Sequence, residues 1–246
     1  MAAADAPAAM PAEALLSVSE LHSGYGRVRI IQGVSLEVRN GEILAVIGRN
    51  GVGKTTLLKT LVGALPPMSG RIAFKGEEIS GLPPSRRARL GIGYVPQGRG
   101  IFARLSVADN LLMGERVGGR KAASNYERVF QFFPILKERL GQKAGSLSGG
   151  EQQQLSIGRI LVGHPELILL DEPSEGIQPN IVQAIGRIIR RLRDEERLTV
   201  VIVEQNLDLI EATADRCIVI DKGAIVAEIA PHDLADPEVA RRYLAI

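Results

Sequence analysis

At 246 residues, 45% hydrophobic and 24% charged, the chain has the composition of a globular protein with room for a sizeable core, which excludes a disordered or fibrous class. A formal net charge of +2 gives no ground for nucleic-acid or membrane-surface binding by charge alone. Its one cysteine, Cys217, rules out an intrachain disulfide; within the apolar run Cys217-Ile218-Val219-Ile220 it reads as a buried, inert thiol, as expected of a reducing compartment.

The chain opens on Met1-Ala2-Ala3-Ala4-Asp5-Ala6-Pro7, with no positive n-region and no long apolar stretch, so residues 1–14 are expected to be a short disordered tail rather than a signal peptide. No window approaches the ~20 apolar residues that span a bilayer. Work at a membrane would therefore need another chain to supply the membrane part. Leu16-Ser17-Val18-Ser19 and Val34-Ser35-Leu36-Glu37-Val38 alternate apolar with polar, the pattern of half-buried antiparallel strands. Ile43-Leu44-Ala45-Val46-Ile47 is apolar throughout, glycines follow from Gly48 to Gly53, and residues 54–61 read as a helix. A buried strand feeding a helix through glycines opens a parallel α/β unit.

Residues 98–147 show no comparable strand. Stretches 107–113 and 126–140 look helical, separated by a break at Gly118-Gly119, and Phe130 and Phe133 read as the local core of a helical insertion. Two more buried strands are expected at residues 167–170 and 199–203. The helix between them carries Ile181, Ile185, Ile188 and Leu192 on one face, and if the two strands are parallel the crossover should be right-handed.

Gly48-Arg49-Asn50-Gly51-Val52-Gly53-Lys54-Thr55 fits the P-loop pattern at every fixed position, and Thr56 continues the helix start. Glycines let successive backbone N–H groups turn inward around phosphate oxygens, and the helix N-terminus adds favourable partial charge. Lys54 should reach the β- and γ-phosphates and the Thr55 hydroxyl should ligate Mg²⁺. The competing reading, a glycine turn that happens to carry a lysine, does not account for the buried strand before it and the helix after it. Leu167-Ile168-Leu169-Leu170-Asp171-Glu172 then puts two carboxylates at the end of a buried strand, where ligands bind in open α/β sheets. Alone such a pair could be a loop cap; beside a P-loop, Asp171 suits the Mg²⁺ shell and Glu172 suits polarising a water.

Leu147-Ser148-Gly149-Gly150-Glu151-Gln152 reads as a capped helix start, with Ser148 and Glu151 at capping-box spacing. Two glycines in a first turn each cost about 1 kcal/mol relative to alanine. They make sense where something approaches that backbone closely. A serine-bearing helix N-terminus is also a ready anion site, so Ser148, Gly149 and Gly150 form a second candidate phosphate site.

Leu147-Ser148-Gly149-Gly150-Glu151, downstream of a P-loop and shortly before Asp171-Glu172, resembles the signature of ABC-transporter nucleotide-binding domains. The resemblance runs from about residue 15 to 246 and implies one α/β P-loop NTPase domain of that type, with an N-terminal antiparallel β subdomain and a helical subdomain inserted at 98–147. It implies that the signature of one subunit caps ATP held on the P-loop of another. Tyr25 resembles the aromatic that stacks on adenine. Gln97, in Gly93-Tyr94-Val95-Pro96-Gln97, resembles the glutamine that touches Mg²⁺ or water and senses the membrane partner, and Asp171 and Glu172 resemble the Mg²⁺ aspartate and the catalytic glutamate.

Two positions depart from the family pattern. Gln178 replaces the aspartate usual after the acidic strand, and Gln205, in Val203-Glu204-Gln205-Asn206, stands where a histidine is usual. Glutamine can donate an amide N–H to a γ-phosphate but carries no positive charge, which puts the hydrolysis rate in question rather than nucleotide binding. His22, His164 and His232 match no motif and read as structural or surface residues. Glu204-Gln205-Asn206, Glu175-Gly176-Ile177-Gln178-Pro179, the short helical insert and Pro96-Gln97-Gly98-Arg99 resemble the second ATPase subunit of branched-chain amino acid and urea importers, and Gly48-Arg49-Asn50-Gly51-Val52-Gly53 with the Glu-Gly-Ile-Gln segment resembles most the urea or short-chain amide branch.

The resemblance thus implies an ATPase at the cytoplasmic face of the inner membrane, using ATP and Mg²⁺. Its implied partners are integral-membrane permeases, a second ATPase subunit and, indirectly, a solute-binding protein. Soluble ABC ATPases of DNA repair or translation carry long coiled-coil insertions or two fused domains, unlike this single P-loop and short insert. A non-hydrolysing regulatory module is opposed by Lys54, Asp171 and Glu172 and favoured only by Gln205. The cluster Arg86-Arg87-Arg89 reads as a solvated helix face rather than a nucleic-acid contact.

Overall fold

The computed structural model describes residues 14–118 and 125–244. The expected tail at 1–14 lies outside them except for Ala14, which begins a strand, and Gly119 of the expected glycine break lies outside them too. The alternating N-terminal segments form two long antiparallel strands, β1 (Ala14–Tyr25) and β2 (Val28–Arg39). With β4 (Ser69–Phe74) and the two-residue β5 (Glu77–Glu78) they make a four-stranded sheet in the order β2-β1-β4-β5.

The second sheet has six strands in the order β10-β9-β3-β8-β7-β6, with β3 (Ile43–Ile47), β6 (Ile92–Val95), β7 (Leu167–Asp171), β8 (Thr199–Val203), β9 (Arg216–Asp221) and β10 (Ala224–Ile229). All neighbours are parallel except β9 and β10. The continuous apolar runs follow from burial on both faces. Ile43, Ala45 and Ile47 join one apolar cluster with Ile168, Leu170, Val200 and Ile202, which the helices cover. Leu44, Val46, Leu167, Leu169, Val201 and Val203 point the other way, into a cluster shared with the antiparallel sheet and α1 (Lys54–Leu61).

Between β6 and β7 the regular elements among the described residues are helices, as the sequence indicates. α3 (Val107–Gly118), α4 (Tyr126–Phe132), α5 (Pro134–Glu138) and a 3-10 turn (Ala144–Ser146) precede α6 (Gly149–Val162). The expected single helix at 126–140 is divided where Pro134 begins a new first turn, because the ring removes an N–H and fixes φ. Phe130 and Phe133 are buried and pack with Leu136, Leu155 and Ile157.

Helix α7 (Pro179–Glu196) buries Val182, Ile185, Ile189 and Leu192 and leaves Ile181 and Ile188 half-buried, so its inward face is rotated slightly from the sequence expectation. The basic cluster on α2 (Pro84–Arg89) needs a larger correction. Arg86 and Arg89 are exposed, but Arg87 is 1% exposed and donates to the carbonyls of Thr60, Leu61, Ser80 and Leu82 at 2.8–2.9 Å. Thr60 and Leu61 end α1, whose C-terminal carbonyls and partial negative charge suit a cation. Burial lowers the Arg87 guanidinium to about 10.

Candidate active site

Four parallel strands release their C-terminal ends on one side of the six-stranded sheet. β3 runs into the glycine loop, β6 into Pro96-Gln97, β7 into Asp171-Glu172 and β8 into Glu204-Gln205, with strand order β3-β8-β7-β6. Ligand crevices of open α/β sheets form at such edges. A cleft of about 270 Å³ opens there, lined by Tyr25, Ile30, Asn50, Gly51, Gly53, Lys54, Thr55, Thr56, Gln97 and Glu172.

The loop conformation explains its glycines. Gly48, Gly51 and Gly53 have φ of 146°, 80° and 114°, which favour glycine, and a Cβ at Gly48 would overlap the Ile220 carbonyl oxygen. Lys54 is buried and its Nζ donates to the carbonyls of Gly48 and Arg49 at 2.7 and 2.9 Å. Burial lowers its pKa, and the charges of Glu172, Asp171 and Glu204 oppose that shift. The Arg49 and Asn50 side chains are exposed, whereas Val52 packs against the apolar cluster beneath the loop.

Asp171 is 1% exposed and accepts a hydroxyl on each oxygen: Thr55 on Oδ1 at 3.0 Å and Tyr94 on Oδ2 at 3.1 Å. Burial raises its pKa, and the two hydroxyls oppose that shift. Thr55 and Asp171 therefore bring two hard oxygens together. That suits Mg²⁺, which takes one or two protein oxygens and completes its shell with phosphates and water.

Glu172 has a φ of 48°, a left-handed conformation uncommon for non-glycine residues, held by its N–H donating to the Val203 carbonyl at 2.9 Å. Its carboxylate sits between two amides. Gln97 Nε2 donates to Oε2 at 3.1 Å and Gln205 Nε2 donates to Oε1 at 3.0 Å. Burial raises its pKa, and the Gln205 hydrogen bond is the largest opposing influence. Gln205 also donates to Asn50 Oδ1 at 2.7 Å, which ties the end of β8 to the glycine loop.

Two residues of this constellation carried no role in the sequence reading. Glu204, 3% exposed, accepts the backbone N–H of Gln205 and Asn206 on Oε1 and of Ser174 on Oε2, and so fixes the turns after β8 and β7. Tyr94 is the other. Both stand inside motifs the sequence displays, but only the turn geometry shows what they hold.

Ser148 is the N-cap of α6, and the capping box forms as its spacing indicates: Ser148 Oγ accepts from Glu151 N at 3.3 Å, and Glu151 Oε2 accepts from Ser148 N at 2.8 Å. The close approach expected at the two glycines comes from within the chain. A Cβ at Gly150 would collide with Ile181 Cγ2 of α7, and one at Gly149 would stand 3.1 Å from the Arg99 guanidinium. None of Ser148, Gly149 and Gly150 lines the cleft. Gln178 is exposed at the start of α7 and its side chain makes no capping bond. His22 Nδ1 accepts from Gly33 N, His164 Nδ1 lies 3.0 Å from Arg128 Nη1 on the surface, His232 is exposed, and none of the three lines the cleft.

The family model described as ABC transporter matches residues 31–175. The chain is 45% identical over 239 residues to the high-affinity branched-chain amino acid transport ATP-binding protein BraG of Pseudomonas aeruginosa, covering 94% of this chain and 99% of that one. It is 40% identical to the lipopolysaccharide export system ATP-binding protein LptB of Escherichia coli, covering 94% and 97%. A crystal structure of the ADP conformation of an ATP-binding cassette of an ABC transporter superposes with a TM-score of 0.82 at 27% identity, covering 93% of this chain and 98% of that one.

Proposed function

The chain belongs to the ABC transporter family, and from that premise we propose that it is the subunit whose ATP hydrolysis drives solute import through separate membrane permeases. It is an ATPase and binds ATP. One observation carries the assignment of residues: Glu172 is held between the amides of Gln97 and Gln205 beside the buried Lys54.

In this reading, backbone N–H groups of the loop from Gly48 to Thr56 cradle the phosphates, and Lys54 exchanges its loop carbonyls for β- and γ-oxygens. Tyr25, 49% exposed at the rim of the cleft, offers its ring face to adenine. Thr55, Asp171 and Gln97 would hold Mg²⁺, which would supply positive charge against the phosphates. Glu172 accepts a proton as water attacks the γ-phosphorus, the bond to the bridging oxygen breaks, and ADP leaves with phosphate. Gln205 donates its amide to the γ-phosphate without carrying charge. Ser148, Gly149 and Gly150 face the nucleotide of a second ATPase subunit, homologous or identical, consistent with their absence from the lining of the chain's own cleft. Residues 15–246 act as one cassette, with 98–147 as its helical subdomain.

Among the described residues no helix is long and apolar enough to cross a membrane. The permeases would supply that part, with this subunit peripheral at the cytoplasmic face and a solute-binding protein delivering cargo. The likeness to BraG favours branched-chain amino acids, and urea or short-chain amides are the other solutes that the sequence motifs suggest. The likeness to LptB supports a second reading, in which the same ATPase powers export. Proteoliposomes holding this subunit with its partner permeases distinguish these readings. ATP-dependent uptake of leucine-type amino acids supports the first, uptake of urea instead moves the assignment to amides, and outward transport alone overturns import.

A further inference from the structure

Tyr94 lies three residues before Gln97, and none of the roles above uses it. On β6 its Cα is paired with Leu169 of β7, and Asp171 lies two residues further along the same face. Two strand residues are roughly 6.6 Å. A tyrosine spans that distance where serine or threonine cannot, and the hydroxyl arrives 3.1 Å from Asp171 Oδ2. The ring itself is half-buried against the apolar cluster around Leu167 and Leu169, and it forms part of the wall of a second, apolar groove of about 300 Å³ with Ala88, Ile92 and Ile160. With the ring packed on that cluster, its hydroxyl has less freedom than one on an exposed side chain.

Asp171 thus has one hydroxyl on each oxygen, and the two differ in kind. Thr55 sits at the start of α1, in the cleft, on Oδ1; Tyr94, which lines the apolar groove and not the cleft, takes Oδ2. We infer that Tyr94 is a positioning residue for the cation: it fixes the rotation of the Asp171 carboxylate so that Oδ1 is turned toward Thr55 and the phosphate loop. This rests on the reading of Asp171 as a Mg²⁺ ligand given under the proposed function. Carboxylates that hold metal ions are themselves held by hydrogen bonds, and removing such a partner typically costs about 10- to 100-fold in metal affinity or activity. If the hydroxyl only satisfied a buried carboxylate, its removal would lower stability and leave the response to Mg²⁺ alone.

The test is Tyr94→Phe in the full chain, which deletes one oxygen and keeps the ring. Affinity for a slowly hydrolysed ATP analogue is measured by titration calorimetry, first in EDTA and then across a Mg²⁺ series, with a thermal melt to confirm folding. The inference predicts an affinity in EDTA within about twofold of wild type and a Mg²⁺ half-saturation raised about 10-fold or more. Asp171→Asn, run in parallel, should lose the Mg²⁺ enhancement. If Asp171→Asn keeps it, the metal assignment of Asp171 fails. If Asp171→Asn loses it while Tyr94→Phe keeps the wild-type half-saturation, with or without a lowered melting temperature, the assignment stands and the role of Tyr94 is overturned.

Discussion

Gln205 Nε2 donates to Glu172 Oε1 at 3.0 Å, so the residue standing in place of the family's usual histidine is bonded to the carboxylate assigned as general base. A neutral amide does not titrate, whereas a histidine has an unperturbed pKa of ~6.5. Turnover of this chain should therefore be flat between about pH 6 and 8. Below that it should fall, because Glu172 must be ionised to accept a proton and burial places its pKa above the ordinary carboxylate value. Gln205 lowers that pKa, so Gln205→Ala moves the acid limb to higher pH. It also lowers the plateau by about 10- to 100-fold, the worth of one hydrogen bond to a charged group. Gln205→His introduces a pH dependence near neutrality. A pH–rate profile of the three proteins checks all of this; an unaltered profile for Gln205→Ala would reduce Gln205 to a cap on the strand end.

Arg87 supplies a second prediction, because its four carbonyl acceptors come from the end of α1 and from the turn before α2. Arg87→Met leaves buried carbonyls unpaired, at about 1–3 kcal/mol for each group left unsatisfied. Urea unfolding should show a loss of at least about 3 kcal/mol, and Arg87→Lys should not rescue it, since an ammonium cannot span the same acceptors. Arg86→Ala and Arg89→Ala should stay within about 0.5 kcal/mol of wild type.

Gly150 tests what the signature glycines are for. Gly150→Ala places a methyl group against Ile181 Cγ2, and such overpacking costs about 1–3 kcal/mol, partly offset by alanine's higher helix propensity. Thermal melts of the isolated chain should show that loss, and Ile181→Ala in the same chain should recover it. A lone Gly150→Ala as stable as wild type would mean that the residue is glycine for a reason outside the single chain.

Much of the fold was legible because burial on both faces of the parallel sheet writes unbroken apolar runs, and β3, β7 and β8 fall where those runs stand. The strands at 69–74, 92–95 and 224–229 left weaker marks. β6 has four residues and includes a glycine, and β10 alternates half-buried with exposed positions but carries the apolar Val226 on its exposed side, which hides the period in the sequence. At the site, the P-loop and the acidic pair carry their chemistry in their spacing. Tyr94 and Glu204 do not, since Tyr94 acts on Asp171 and Glu204 reaches Ser174, residues that only the pairing of strands brings near. Arg87 was misread because a run of arginines looks solvated, and nothing in the sequence reports the open carbonyls at the end of α1.

The steady-state rate of phosphate release by Glu172→Gln tests the central assignment most directly. The amide keeps the size of the side chain and can stay beside Gln97 and Gln205, but it cannot take a proton from water. Loss of a positioned general base costs about 10²- to 10⁴-fold, so the rate should fall by that much while ATP affinity is retained. A Glu172→Gln protein that releases phosphate at the wild-type rate would place the catalytic carboxylate elsewhere and contradict the account.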